Sequence, residues 1–324
     1  MTTVKVINYT DSDFDQWDEF VRNSRNGTIM QERRFIGYHG AERFEDCSLM
    51  FYDARDKLTA VMPAAVKKTT EKIFCSHPGL SHGGVVVNHG FGTSEALSLA
   101  QTLVENCRSG GFKAIEIKPV PRIYQHWPCD EIDFALRYCG FMPVYTELAT
   151  VLPLGEITTE NYFMSRTARR NAKKAENAGV RVRESVDFAT YWSILEANLD
   201  QRHGARPTHT LEEIKELTRR YPEHIKLVAA FYQETMISGV VVFLLNSRVS
   251  NCFYIAQDYD YQQFRPLNLV FYQLINWGIK KGYHYLDWGI STENKGKLVN
   301  YGLFRFKEEF GGRGVLRETY RLGL

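Results

Sequence analysis

Gly282-Tyr-His-Tyr-Leu-Asp-Trp-Gly289 follows a run from Leu267 to Lys280 that reads as a helix, and it carries a strand, Tyr285-Leu-Asp-Trp288. The same order stands earlier in the chain: a helix from Ser94 to Cys107, then Gly111-Phe112, then the strand Ala114-Ile-Glu-Ile-Lys118. The two Gly-aromatic pairs lie 171 residues apart, and so do Gly140 and Gly311. Glycine just past a helix end is the usual C-cap, because it takes the left-handed conformation without a Cβ clash. Working outward, the two halves also begin alike. Asp13 to Val21 puts Phe14, Trp17, Phe20 and Val21 on one helical face, and Phe188 to Asn198 is a second aromatic-faced helix. A hairpin follows each: Ser48 to Tyr52 with Leu58 to Val66 in the first half, Ile225 to Phe231 with Ile237 to Leu245 in the second. The shared order and the constant offset predict a duplicated α/β unit of the α+β kind, with mixed sheets flanked by helices.

Composition fits two such units. The chain has 324 residues, 44% hydrophobic and 24% charged, which is ordinary for globular proteins and enough for two domains of usual size. We place them at 1–150 and 151–324. Residues 146–160 form the join, where Pro153 and Gly155 precede the helix-start residues Thr158 and Thr159. A net charge of +2 excludes a general polyanion binder, so contact with nucleic acid needs a local patch. No apolar run reaches the ~20 residues of a membrane-spanning helix. The N-terminus lacks the basic and apolar regions of a signal peptide, so a cytoplasmic location is expected. The six cysteines show no zinc spacing and read as reduced thiols. Neither a metal nor a tightly bound cofactor is expected.

Three stretches carry candidate chemistry. In Ser165 to Gly179, Arg166, Arg169, Arg170, Lys173 and Lys174 fall on a predicted helix nearly free of carboxylates. Arg166, Arg170, Lys173 and Asn177 share one face. That face suits a phosphate, whether of a nucleotide diphosphate, a CoA pyrophosphate or an RNA backbone, although a solvated helix face is the plain alternative. In Tyr259 to Leu269, Arg265 and Asn268 flank Pro266 at the start of the second half's main helix, where they could meet a donor phosphate. Pro266 removes an amide donor there. In the C-terminal stretch, Asp287 lies within a strand, and Lys307 stands among Tyr301, Phe304, Phe306 and Phe310, where a lysine can stabilise an oxyanion. Snorkelling of its head into water is the plain alternative. Arg202, His203 and His209 lie near a loop between helices and could line an acceptor site. His77 and His82, in a Gly-rich turn, read more simply as loop histidines.

Phe304-Arg-Phe-Lys-Glu-Glu-Phe-Gly-Gly312, preceded by Gly282 to Gly289, resembles the C-terminal signature of the Fem-type (FemABX) peptidyltransferases. Arg169-Arg-Asn-Ala-Lys-Lys-Ala-Glu-Asn-Ala-Gly-Val180 is similar to that family's Arg/Lys-rich helix, and Pro266 before a Trp-containing helix also fits. The resemblance implies two tandem GNAT-like domains. It also implies transfer of an amino acid from aminoacyl-tRNA to an amine of a peptidoglycan precursor. Lys307 then stands at the lysine thought to stabilise the charge formed during transfer, and Arg170 lies in the phosphate-binding helix. Two features depart from the pattern. Residues 181–224 leave no room for the family's long helical hairpin associated with tRNA. The glycine loop that cradles CoA pyrophosphate in GNAT enzymes is absent before Leu267.

The expected function is amide-forming acyl transfer onto a small-molecule or lipid-linked cell-envelope or polysaccharide precursor, in a cleft between the two domains. The donor would be aminoacyl-tRNA or acyl-CoA. Lys307 would stabilise the oxyanion, Tyr254 or Asp287 would relay the proton, and Arg305 would join the basic helix on a shared face. Two rivals are an acyl-CoA-dependent acetyltransferase acting on a sugar amine or hydroxyl, and a non-catalytic module that binds polysaccharide or nucleotide-sugar.

Overall fold

The computed structural model describes residues 4–40, 42–155, 157, 164–203 and 206–324, without the side chains of Lys68, Arg202 and His203. The chain forms two compact units: Met1–Glu147 with Leu316–Leu324, and Leu148–Val315. Among the described residues no helix is long and apolar enough to cross a membrane.

The first unit contains β1 (Lys5–Asn8), α1 (Phe14–Arg22), α2 (Arg33–Ile36), β2 (Glu45–Asp46), β3 (Leu49–Tyr52), β4 (Leu58–Met62), β5 (Ala65–Lys68), β6 (Lys72–Cys75), β7 (Val86–Val87), α3 (Thr93–Ser109), β8 (Ala114–Ile117) and α4 (Glu131–Tyr138). One antiparallel sheet has the order β1-β3-β4-β7. Separately, β2, β5 and β6 pair antiparallel, and β6 pairs parallel with β8. The expected strand Leu58 to Val66 breaks at Pro63, which has no N–H for a ladder, and its two parts, β4 and β5, join different sheets. The core gathers Ala96, Leu99, Ala100, Leu103 and Cys107 from one face of α3 onto Phe51, Phe74 and Ile115.

Strand β9 (Met142–Pro153) contains the boundary between the units, so most of the expected join is a strand and not a linker. Of its remainder, Glu156 and residues 158–160 lie outside the described residues. The second unit continues with α5 (Arg166–Asn177), β10 (Arg181–Ser185), α6 (Phe188–His203), α7 (Leu211–Arg220), β11 (Ile225–Tyr232), β12 (Thr235–Leu244), β13 (Val249–Gln257), α8 (Pro266–Lys281), β14 (Tyr285–Ile290), β15 (Thr292–Glu293), β16 (Leu298–Val299) and α9 (Tyr301–Glu308). Strand β17 (Arg313–Gly323) begins in this unit and ends in the first, where Tyr320 pairs with Ile117. The last nine residues therefore belong with the first unit, not with 151–324.

In the second unit β10 to β13 form an antiparallel meander, and β14 pairs parallel with β13 and antiparallel with β9. Residues 236–244 of β12 are all buried, as a central strand requires. Gln233 and Glu234 both have positive φ, 48° and 64°, the signature of the tight turn that joins β11 to β12. Helix α8 supplies Leu269, Val270, Phe271, Leu274 and Ile275 to the core, and the alanines of α5 pack onto it.

The 171-residue offset has a physical cause. Gly111 and Gly282 are left-handed at φ 74° and 77°, and Gly140 and Gly311 at 89° and 92°. The backbone bonds that close these helix ends recur at the same offset. Phe112 N donates to Cys107 O (3.1 Å) and Tyr283 N to Gly278 O (3.0 Å); Phe141 N donates to Leu136 O (3.0 Å) and Gly312 N to Lys307 O (3.3 Å). Each pair is the six-residue bond of a Schellman cap. The repeat therefore puts Lys307 in the place that Leu136 holds in the first unit. Both side chains are buried, at 2% and 1% exposure.

Candidate active site

Strands β13 and β14 pair over only three residues, Val249–Tyr285, Ser250–Leu286 and Asn251–Asp287. Beyond that point β13 runs on to Gln257 and β14 to Ile290, with no further ladder between them among the described residues. Two local features part them. The register of β12 against β13 shifts between Val241, opposite Tyr254, and Val242, opposite Cys252, so β13 carries an extra residue that bends it. On the other arm Gly289 takes φ +68°, which turns the chain away. The result is a fork at the carboxyl ends of two parallel strands, the usual place for a ligand in such sheets. Asn251 Nδ2 donates to Asp287 O (3.3 Å) at its base.

Lys307 reaches the β14 arm from α9. Its Nζ donates to Gly289 O (3.0 Å) and Ile290 O (3.0 Å) and lies 2.7 Å from Ser291 Oγ. Burial pushes the ammonium down to about 8 from its ordinary 10.5, against the opposing pull of Asp287 and Cys252. Asp287, 1% exposed, accepts from Gly289 N (2.8 Å) through Oδ1. Lys307 and Asp287 thus grip one turn from its carbonyl and amide sides. As an ammonium, Lys307 has all three N–H groups directed at these partners. As a neutral amine, it would keep the two carbonyl bonds and accept from the Ser291 hydroxyl, so the geometry suits both forms. Phe271, Trp288, Phe306 and Phe310 pack edge-on behind it, with Phe271 5.7 Å from Trp288 and 5.8 Å from Phe306.

Ser291 and Gly289 are functional candidates that the sequence reading missed. The available signal was the offset: Lys307 minus 171 is a core leucine, and a lysine in a leucine's place needs acceptors nearby.

The basic helix forms as expected. Ser165 caps α5, its Oγ accepting from Ala168 N (3.0 Å), and Ala168, Ala172 and Ala175 are buried. Arg166, Arg170, Lys173 and Lys174 are exposed and Arg169 half-buried, and among the described residues none makes an ion pair. Ser165 N donates to Glu309 O (2.7 Å), so the start of α5 abuts the end of the Lys307 helix. Arg305 is exposed while Lys307 is buried. Two residues turn about 200° around a helix, so Arg305 and Lys307 do not share a face, which corrects the expectation. At the start of α8, Arg265 is exposed and left-handed at φ 58°, Pro266 occupies the first helical position, and Asn268 is buried with its amide donating to Arg265 O (3.1 Å). Few amides remain there to cradle a phosphate.

Tyr254 is tied to His209. Its hydroxyl accepts from His209 N (3.1 Å) and lies 2.6 Å from His209 Nδ1. Burial pushes the phenol up to about 12, against hydrogen bonds from His209 and Thr208. Trp192 packs edge-on against the Tyr254 ring at 5.2 Å. Arg202 and His203 end α6, and their side chains lie outside the described residues. His77 and His82 are buried and not surface-loop groups; His77 stacks on His39 at 5.5 Å, and burial pushes it down to about 4.

A forked parallel pair with a crossover helix behind it is the arrangement of a GNAT-type fold. Residues 163–308 match the family model for the acetyltransferase (GNAT) domain. The whole chain is similar in fold to FemX, with 14% identity and a TM-score of 0.70 over 99% of this chain and 97% of that one. It is similar to L-PGS from Bacillus licheniformis at 13% identity and a TM-score of 0.58, over 95% of this chain and 90% of that one. It is also similar to a tandem GNAT protein from the clavulanic acid biosynthesis pathway, at 9% identity and a TM-score of 0.53, over 99% and 98%. No curated protein matches the chain. At these identities the likeness is one of fold. The chain has a tandem GNAT-like fold and carries an acetyltransferase (GNAT) domain over residues 163–308, the domain of an acyltransferase.

Proposed function

We propose that this acyltransferase forms an amide on a cell-envelope precursor, the neutral amine of the acceptor attacking an acyl carbonyl held in the fork between β13 and β14. The observation that carries the reading is the three-residue pairing of those strands, which leaves a free backbone edge at the mouth of the fork. Backbone amides on that edge are suited to the oxyanion of the tetrahedral intermediate. We assign Lys307 and Asp287 to positioning: they hold the Gly289–Ser291 turn that forms the other arm. Tyr254, protonated and occupied by the chain, positions His209. The exposed cations of α5 are assigned to the donor's phosphates, taking over from the amides that the start of α8 lacks. Such a side-chain grip favours aminoacyl-tRNA as donor, and the 304–312 resemblance supports a peptidoglycan-type acceptor.

A second reading, acyl-CoA as donor, draws on the GNAT-domain match over 163–308. Calorimetric titration with acetyl-CoA and with charged tRNA, followed by mass spectrometry of an amine-bearing muropeptide precursor, separates the two. Transfer from charged tRNA alone is the expected result. Binding and transfer with CoA alone would select the second reading. Transfer from neither donor would overturn both and leave a ligand-binding module.

A further inference from the structure

The first unit holds the same strand arrangement as the fork of the second. β6 and β8 pair parallel over three residues, Ile73–Ala114, Phe74–Ile115 and Cys75–Glu116. The β8 members stand 171 residues before Tyr285, Leu286 and Asp287, the three that pair with β13. Here the arms stay joined past the ladder. Ser76 N donates to Glu116 O (2.9 Å), and Ser76 Oγ accepts from Lys118 N (2.8 Å). The chain then turns at His77, left-handed at φ 42°, and comes back between the arms as Gly83-Gly84. A Cβ on Gly83 would overlap Ser76 O on the β6 arm. A Cβ on Gly84, itself left-handed at φ 60°, would lie 2.8 Å from Val120 N and 3.0 Å from Pro119 Cα on the β8 arm. Two consecutive glycines therefore touch one arm each, where no side chain fits. Buried side chains fix the returning segment. Gln31, 0% exposed, donates from Nε2 to Gly83 O (3.1 Å). Asn26 Nδ2 donates to Val85 O (2.9 Å), and its Oδ1 accepts from Val87 N (2.8 Å).

We propose that the first unit is a fork sealed by its own chain, so that the protein takes one acyl donor and not two. The seal rests on the geometry of the first unit alone. The donor count rests on the acyl-transfer reading of the second unit. At the sealed fork the amide of Lys118 is already held by Ser76 Oγ, and that of Val120 is covered by Gly84. A donor would have to displace a buried segment together with the bonds from Gln31 and Asn26.

Cys75 lies at the base of this fork, in the place that Asn251 holds in the second unit, and reports on the seal. Iodoacetamide labelling of the full chain, mapped by mass spectrometry, compares it with Cys107 in the core of the same unit. In the wild type Cys75 should label as slowly as Cys107. Gly83→Ala should raise the Cys75 rate relative to Cys107 roughly 10- to 100-fold, because opening the segment relieves the overpacking. Gln31→Ala removes the tie to Gly83 O without adding bulk and should raise it up to about tenfold. Circular dichroism checks both folds, and Gln31→Ala carries the test if Gly83→Ala does not fold. Calorimetric titration with acetyl-CoA and with charged tRNA should give one equivalent per chain for the donor that binds. Wild-type Cys75 labelling as fast as the half-buried Cys139, a Cys75-to-Cys107 ratio unmoved by either variant, or two donor equivalents per chain would each overturn the proposal. Binding of neither donor would overturn the acyl-transfer reading and with it the donor count, while the labelling still decides the seal.

Discussion

Lys307→Met tests the clamp on the fork. Methionine matches the lysine stem in reach but brings no donor. The change leaves Gly289 O and Ile290 O without the N–H groups that now meet them at 3.0 Å, and removes the buried cation that opposes Asp287. Hydrogen bonds to a charged group contribute ~1.5–3 kcal/mol each, and an unsatisfied buried group costs ~1–3 kcal/mol. Against this, the variant relieves the cost of burying the ammonium. The fall of Lys307 from 10.5 to about 8 corresponds to about 3 kcal/mol. The balance is a loss of roughly 2–4 kcal/mol near neutral pH. Its pH dependence is more telling. Below about 8 the lysine is charged in both folded and unfolded chains, so the difference between wild type and variant is flat. Between about 8 and 10.5 the unfolded chain holds the extra proton, so wild-type stability gains from this group as pH rises. The gap between wild type and variant should widen by up to about 3 kcal/mol across that window, then level off. Urea unfolding followed by circular dichroism at pH 7.5, 9 and 10.5 reads it directly, and taking the difference removes the other groups that titrate there. A gap that stays constant with pH would refute the buried-cation reasoning. A variant as stable as wild type and fully active would refute the clamp.

Gly289→Ala adds a Cβ that meets nothing within 4 Å, so its cost is conformational only, ~1–2 kcal/mol at φ +68°; a melting-temperature drop of that size with kcat falling more than KM rises is expected. Replacing Arg166, Arg170 and Lys173 by Gln should leave the melting temperature nearly unchanged, because these side chains are exposed and make no ion pairs among the described residues. Donor binding measured against salt should weaken, its logarithmic slope falling by about 0.7–0.9 for each phosphate that the variant no longer neutralises. Tyr254→Phe removes the hydroxyl that His209 N donates to and should destabilise the unit by ~1–3 kcal/mol in chemical denaturation.

The elements that could be read from sequence were those with strong local signals. The Gly-aromatic caps fixed the ends of α3 and α8 because only glycine enters the left-handed region cheaply, and Gly111 and Gly282 do so at nearly the same φ. The helix expected within Ser165 to Gly179 is α5, Arg166–Asn177. The fork was not legible. It depends on a one-residue register shift that leaves Phe253 of β13 as the extra residue, and nothing in Cys252-Phe-Tyr254 marks where a bulge will fall. Nor was the partnership of Tyr254 with His209, 45 residues apart, which only tertiary folding creates. Arg305 fails for a different reason: two residues of spacing place it opposite Lys307 on the helix, and the aromatic run around both masks that phase.

The two units sharpen what Lys307 is for. At equivalent positions the first unit has Leu136 and the second has Lys307, both closed by the same cap and both buried. The strand positions 171 residues apart are also matched: Glu116 in β8 and Asp287 in β14, each buried. In the first unit the carboxylate is met by Lys67 at 2.8 Å and Arg321 at 2.7 Å, and the helix position is free to be leucine. In the second unit the helix itself supplies the cation. A leucine there would avoid the burial cost of a charge but would leave Gly289 O and Ile290 O without their donor. Burying the ammonium carries a cost that the leucine of the first unit does not incur. What the lysine adds is a hold on the three residues where β14 leaves β13. That puts the polar side chain at the fork, the place where we propose acyl transfer.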